Sequence, residues 1–242
     1  MPPVNFDSTL EIVAQLDAAR SSEELCAALL HATSHLGVEQ LIGALIPPPA
    51  ASMEIVVAGV YLSKWPIGWL ERYALMGYAD DDPMIALVRR ELPIFAWRDA
   101  PALIPQSEAG LRVMNEASEF DIRDGVTVSL RTQEGLLGGM SFSGTRMAHG
   151  VKERQLLSIV ANYAFVKALK LDARRNAASV LSDRQRDVLR WVANGKTDWE
   201  ISVILNISEH TVDKYMRAIK EKLGANNRVN AIARAMRLGL ID

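Results

Sequence analysis

At 242 residues, 49% apolar and 23% charged, the chain suits one large domain or two smaller ones, with a well-packed soluble core expected. The lone Cys26 excludes an intrachain disulfide and fits a reducing compartment. The net charge of −2 hides an asymmetry: from Ser179 onward 11 Lys and Arg face 8 Asp and Glu, so a mildly basic end follows an acidic remainder, the balance expected if only the end meets nucleic acid.

No apolar run approaches the roughly 18 residues needed to cross a bilayer, and the N-terminus lacks the pattern of a signal peptide. A cytoplasmic protein with no membrane partner is expected. Ser8 to Arg20 and Ser21 to Leu36 carry apolar residues at helical spacing, with Ser21 placed to cap the second helix and Gly37 to end it. Cys26 falls in that second stretch and reads as a buried thiol. Leu41 to Ile46 and Ile55 to Val60, separated by Pro47-Pro48-Pro49, read as adjacent antiparallel strands.

Pro66 opens a helix to about Tyr78 and Pro83 another to about Glu91, both at the first-turn position that tolerates proline. Ile94 to Trp97 reads as extended and Leu111 to Phe120 as helical. Val126 to Arg131 and Leu137 to Ser143 form a hairpin around Gln133-Glu134-Gly135, followed by a long amphipathic helix from Lys152 to Leu171. The fold class is therefore α+β: an N-terminal α/β/α sandwich on an antiparallel sheet, spanning residues 1–171. A linker is expected at 172–180 and an all-α domain at 181–242.

The all-α part contains a helix-turn-helix. Ser182 and Gln185 can form a capping box, and Val188, Leu189 and Val192 give the helix an apolar stripe that Gly195 closes. A short helix covers Asp198 to Leu205, Asn206-Ile207-Ser208 turns, and a second amphipathic helix begins at Glu209. In such motifs the second helix enters the major groove of double-stranded DNA. Val212, Ile219 and Leu223 mark its buried face, while Lys214, Arg217, Lys220 and Lys222 point outward. Thr211, Asp213, Lys214 and Arg217 lie nearest the groove, with Lys220 on an exposed face beyond. Helix-turn-helix modules that read paired half-sites imply a homodimer. The spacing resembles that of the LuxR-type regulators, whose recurring positions correspond to Leu189, Gly195, Thr211-Val212 and Lys222-Leu223. That family usually carries Glu where Gln185 stands.

The N-terminal part separates two kinds of input. A phosphoreceiver needs acidic residues at strand ends, whereas Asp80-Asp81-Asp82 follows an aromatic-rich helix. Instead, Trp69 and Tyr73 are four apart; Asp82-Pro83 follows nine residues after Tyr73, Trp97 15 after Asp82, and Gly125 28 after Trp97. These intervals resemble those of the acyl-homoserine lactone-binding domain of LuxR-type quorum-sensing regulators. The resemblance implies a transcription factor, not an enzyme, with a lactone as effector and no cofactor or metal. It implies that Trp69 donates to the lactone carbonyl, Asp82 accepts the amide N–H, Tyr73 packs along the acyl chain and Trp97 walls the lactone end. Ser141 and Thr127 are candidate hydroxyl donors to a carbonyl.

The family commonly has Tyr where Trp65 stands. The larger indole carries one donor and would reshape the acyl pocket, so a short, branched or aryl acyl group is expected. Two alternatives stay open: a LuxR-like solo regulator that senses a non-lactone molecule, and a lactone-degrading enzyme. His31 and His35, four apart on a helix, have no evident third ligand for a metal.

Overall fold

The computed structural model describes residues 6–237 and 240–241, grouped in two compact units, Met1–Leu169 and Lys170–Asp242. In the first, α1 (Phe6–Ala18) and α2 (Ser22–Thr33) precede β1 (Gln40–Leu45). Ser21 caps α2 by accepting the Glu24 N–H at 3.1 Å, and Gly37 turns the chain with a left-handed φ of 82°. α3 (Met53–Ala58), β2 (Val60–Ser63), α4 (Ile67–Leu75), α5 (Pro83–Arg89), β3 (Ile94–Ala96), α6 (Ala100–Leu103) and α7 (Glu108–Ser118) follow. The hairpin β4 (Asp124–Arg131) and β5 (Leu137–Gly144) then leads into α8 (Val151–Val180).

The five strands form one antiparallel sheet in the order β2-β1-β5-β4-β3. Alternation in the hairpin explains how it sits. Val126, Val128 and Leu130 on β4, with Met140 and Phe142 on β5, are buried on one face. Gly43 and Gly138 let Phe165 of α8 approach that face closely. The opposite face carries Thr127, Ser129, Ser141 and Ser143, a pattern that ordinarily meets water. Here Thr127 is 2% exposed and Ser143 fully buried, while Ser129 and Ser141 are half-buried. α4, α5 and the Trp69–Tyr73–Val88 cluster belong to the apolar core that also takes in Phe95 and Trp97.

One expected strand is a helix. Met53–Ala58 is α3, and the strand that pairs with β1 starts at Val60. A short apolar run does not distinguish helix from strand; here Ser52 stands at the N-cap position, Glu54 lies in the first turn, and Gly59 ends the helix by donating its N–H to the Ile55 carbonyl. Helix α4 stops at Leu75, short of Tyr78, because Gly77 adopts a left-handed conformation (φ 65°). α8 continues through the stretch expected as a linker, 172–180. Cys26 is 2% exposed, and burial pushes its thiol pKa up.

The second unit holds α9 (Asp183–Ala193), α10 (Asp198–Leu205), α11 (Glu209–Lys222) and α12 (Arg228–Arg237). Capping boxes open α9 (Ser182 with Gln185) and α10 (Thr197 with Glu200). Asn206 is left-handed (φ 54°), which makes the tight turn, and Ser208 caps α11 by accepting the Thr211 N–H at 3.1 Å. Leu189, Val192, Ile201, Val212, Ile219 and Leu223 form the core, with Ala231 and Ala235 of α12 completing it. Among the described residues no helix is long and apolar enough to cross a membrane.

Candidate functional site

The buried hydroxyl face of the hairpin borders a cavity of about 80 Å³. Ile42, Ala44 and Gly139 floor it, Ile46, Val56 and Val88 contribute apolar walls, and Trp65, Tyr73, Asp82, Thr127 and Ser141 bring polar atoms. Thr127 and Ser141 are direct partners across β4 and β5, with their hydroxyl oxygens 2.8 Å apart. The Trp97 indole N–H donates to the Thr127 oxygen at 2.8 Å. Two hydroxyls bonded to each other use only one of their two protons. One O–H donor therefore remains to be matched at this edge of the cavity.

Asp82 supplies the acceptor. As N-cap of α5 it accepts the Met84 N–H at 2.7 Å with one oxygen, and it accepts the Tyr73 O–H at 2.7 Å with the other. A carboxylate offers about four lone-pair sites, so it can accept a further N–H. Burial pushes the Asp82 pKa up, opposed by the Tyr73 and backbone hydrogen bonds. Tyr73 is pushed well above 10, first by burial and then by the charge of Asp82, which keeps it a donor to that carboxylate.

Two indole donors complete the inventory. Trp65 lines the cavity, and its Nε1–H is buried without a hydrogen-bond partner among the described residues. Trp69 is 1% exposed and its Nε1–H is likewise unpartnered. Such a buried orphan donor costs about 1–3 kcal/mol. Trp69 packs edge-on against Tyr73, with ring centroids 5.8 Å apart, and does not line the cavity.

Trp97 also stands outside the lining. Its N–H is spent on Thr127, and its ring lies on the bare backbone of Gly125, where an added Cβ would sit 2.6 Å from the indole. Trp97 thus holds the Thr127–Ser141 pair through its N–H, while its ring is not among the residues that line the cavity. Tyr73 does line the cavity, though its hydroxyl is committed to Asp82.

Sequence reasoning missed the apolar floor and the fastening of the segment over it. Gly139 was visible as a glycine inside a strand, which signals a close approach. Asp80 accepts the Ala50 N–H at 2.8 Å, and Arg89 donates to the Pro47 carbonyl at 3.1 Å. Together they hold the loop that carries Ile46 and Pro47 to the cavity, a contact across some 30 to 40 positions that no local pattern announces.

In the second unit, α11 presents Lys214 and Arg217 as exposed residues, with Thr211, Asp213 and Lys220 half-buried. Arg217 pairs with Asp213 one turn away, which holds the Asp213 carboxyl below its usual range. The Thr211 and Ser208 hydroxyls lie 2.8 Å apart at the start of the helix. Lys222 donates to the buried Gln185 amide oxygen at 3.0 Å, so its charge meets a neutral acceptor. Arg228 ties α12 back to Asp198 and to the Lys196 carbonyl.

Residues 21–168 match the family model described as autoinducer binding domain, and residues 179–235 that of bacterial regulatory proteins, luxR family. The chain is 28% identical to the transcriptional activator protein BjaR1 of Bradyrhizobium diazoefficiens over 96% of each chain. It is 34% identical to the quorum sensing-dependent transcriptional regulator RpaR of Rhodopseudomonas palustris, over 73% of each. Among solved structures, SdiA of Escherichia coli superposes with a TM-score of 0.53 at 22% identity, covering 97% of this chain and 98% of that one. At that identity the likeness bears on fold.

Proposed function

Since the chain belongs to the LuxR-type family of autoinducer-binding transcriptional regulators, and so is a regulator of the quorum-sensing kind and not an enzyme, we propose that its effector is an N-acyl homoserine lactone with a short, branched or aryl acyl group. The observation that carries this is the inventory of unmatched polar groups. Two indole donors and one leftover hydroxyl proton stand in or beside an otherwise apolar cavity whose carboxylate can take one more N–H. An acyl-homoserine lactone offers carbonyl oxygens and one amide N–H on an apolar body, so it satisfies each kind of group.

In this reading Asp82 accepts the amide N–H, the Thr127–Ser141 pair serves the amide carbonyl, and Trp69 or Trp65 serves the lactone carbonyl. Trp97 and Tyr73 act by holding Thr127 and Asp82 in place. The cavity of about 80 Å³ and the bulk of Trp65 favour a compact acyl group. Residues 1–171 would be the effector-binding part and 181–242 the DNA-binding part, joined through 172–180, in a cytoplasmic homodimer on a two-fold promoter element. Thr211, Lys214 and Lys220 would meet DNA directly; Asp213 and Arg217 would do so after exchanging their mutual pair for DNA groups.

The test is thermal unfolding of the full chain with homoserine lactones from butanoyl to dodecanoyl, since a ligand of the native state raises stability by mass action. The largest rise is expected with a compact acyl group. A clear preference for chains of about ten carbons or more would overturn the acyl assignment, and no rise with any lactone would overturn the effector class.

A further inference from the structure

A glycine inside a strand weakens it and implies that something approaches the backbone closely. Gly125, Gly138 and Gly139 lie within the β4–β5 hairpin, and none has the positive φ that would by itself require glycine. Two of them have an evident tenant. An added Cβ at Gly125 would stand 2.6 Å from the Trp97 ring, and one at Gly138 would stand 2.9 Å from the Phe165 ring. Each glycine is the seat of an aromatic ring laid on bare backbone.

Gly139 has no such tenant. A Cβ there would meet Val88 Cγ2 at 3.5 Å, Ile46 Cδ1 at 3.6 Å and Thr127 Cγ2 at 4.0 Å, all ordinary contacts. Neither backbone nor packing excludes alanine. What glycine leaves is depth in the cavity floor, next to Ala44 across the β1 pairing. The side chains around that depth, Ile46, Val88 and Ala44, are apolar and suit hydrocarbon instead of a lactone. Ser141 stands two residues along the same strand face, about 7 Å away, within reach of a short acyl chain whose carbonyl sits at the hydroxyl pair.

We propose that Gly139 is the specificity-determining position for the acyl group: a flat or branched acyl end lies on its bare backbone, as Trp97 lies on Gly125 and Phe165 on Gly138. This rests on the lactone reading of the cavity. Ile46 and Val88 are the side walls of the seat, and its depth sets the thickness of the group it accepts.

The experiment compares wild type, Gly139→Ala and Val88→Ala as full chains, reading reporter half-maximal dose and thermal shift with butanoyl, 3-methylbutanoyl, benzoyl and octanoyl homoserine lactones. Gly139→Ala should raise the dose for the 3-methylbutanoyl and benzoyl compounds about tenfold, the scale of one methyl group in an apolar pocket, and move butanoyl least. Val88→Ala should widen the seat and improve the octanoyl compound relative to butanoyl. If Gly139→Ala shifts all four equally, or Val88→Ala leaves their order unchanged, the seat is elsewhere. If Gly139→Ala yields no soluble protein, the order in Val88→Ala decides alone. Failure of the lactone reading is distinct: wild type would respond to none of the four.

Discussion

The two units differ in how completely they satisfy themselves. In the second, every helix from α9 to α11 opens on a side-chain cap, Gln185 is buried yet bonded on both sides, and no described side chain leaves a buried polar atom unpartnered. In the first, Trp65 and Trp69 hold unpartnered donors and Thr127–Ser141 has a proton to spare beside an apolar void. A structure that only needs to persist closes its hydrogen-bond accounts internally. Gln40, Ser143 and His149 of the first unit also leave a buried polar atom unpartnered, away from the cavity lining.

That contrast is most sharply tested at Asp82. Replacing it by Ala strips the Tyr73 O–H and the Met84 N–H of their acceptor, about 1–3 kcal/mol for each group left buried and unpaired, and should abolish lactone-dependent reporter output. Residues 179–242 made alone should still bind promoter DNA. A full lactone response in Asp82→Ala would remove the carboxylate from the site.

Gly125→Ala should lower the stability of the first unit by about 1–3 kcal/mol through overpacking against Trp97 and the Phe142 carbonyl. Denaturant unfolding followed by tryptophan fluorescence would measure it, and an unchanged midpoint would mean that Trp97 is free to move. On the other unit, Lys214→Ala should leave folding intact and flatten the dependence of log K on log salt by about one. An unchanged salt slope would place Lys214 off the phosphates.

The smallest effect is acid dependence. The Thr197 backbone N–H, then Lys196 and the Thr197 hydroxyl, lower the Glu200 pKa from 4.5 to about 2. Its contribution is therefore complete above 4.5 and lost as pH falls through about 2. Asp82 runs the other way: its folded pKa is raised above 3.8, so the penalty of burying its charge is relieved as acid protonates it. Glu200→Gln keeps the capping box and should remove part of the acid sensitivity of residues 179–242. An identical pH profile would deny Glu200 that role.

How much of this was legible depended on the range of the contacts. Ser21, Ser182 and Ser208 act on backbone amides three residues on, so their caps were readable from local pattern. The bounds of α9, α10 and α11 were likewise local, whereas α12 (Arg228–Arg237) was not read from the sequence. α3 was not readable, because six mostly apolar residues fit either period and the choice was made by Ser52 and Gly59 at its ends. The role of Trp97 depends on Thr127, 30 positions later, and on a glycine whose missing side chain is the message. Spacing located the residue; only the fold showed which way its N–H is spent.

The Gly125–Trp97–Thr127 contact has a consequence for how this lineage can change. Gly125 cannot gain a methyl group unless the indole moves, and the indole cannot move without releasing Thr127, whose hydroxyl partners Ser141. A substituent at Gly125 would therefore be felt as far as Thr127 and Ser141, whereas one at Gly139 would meet only ordinary contacts.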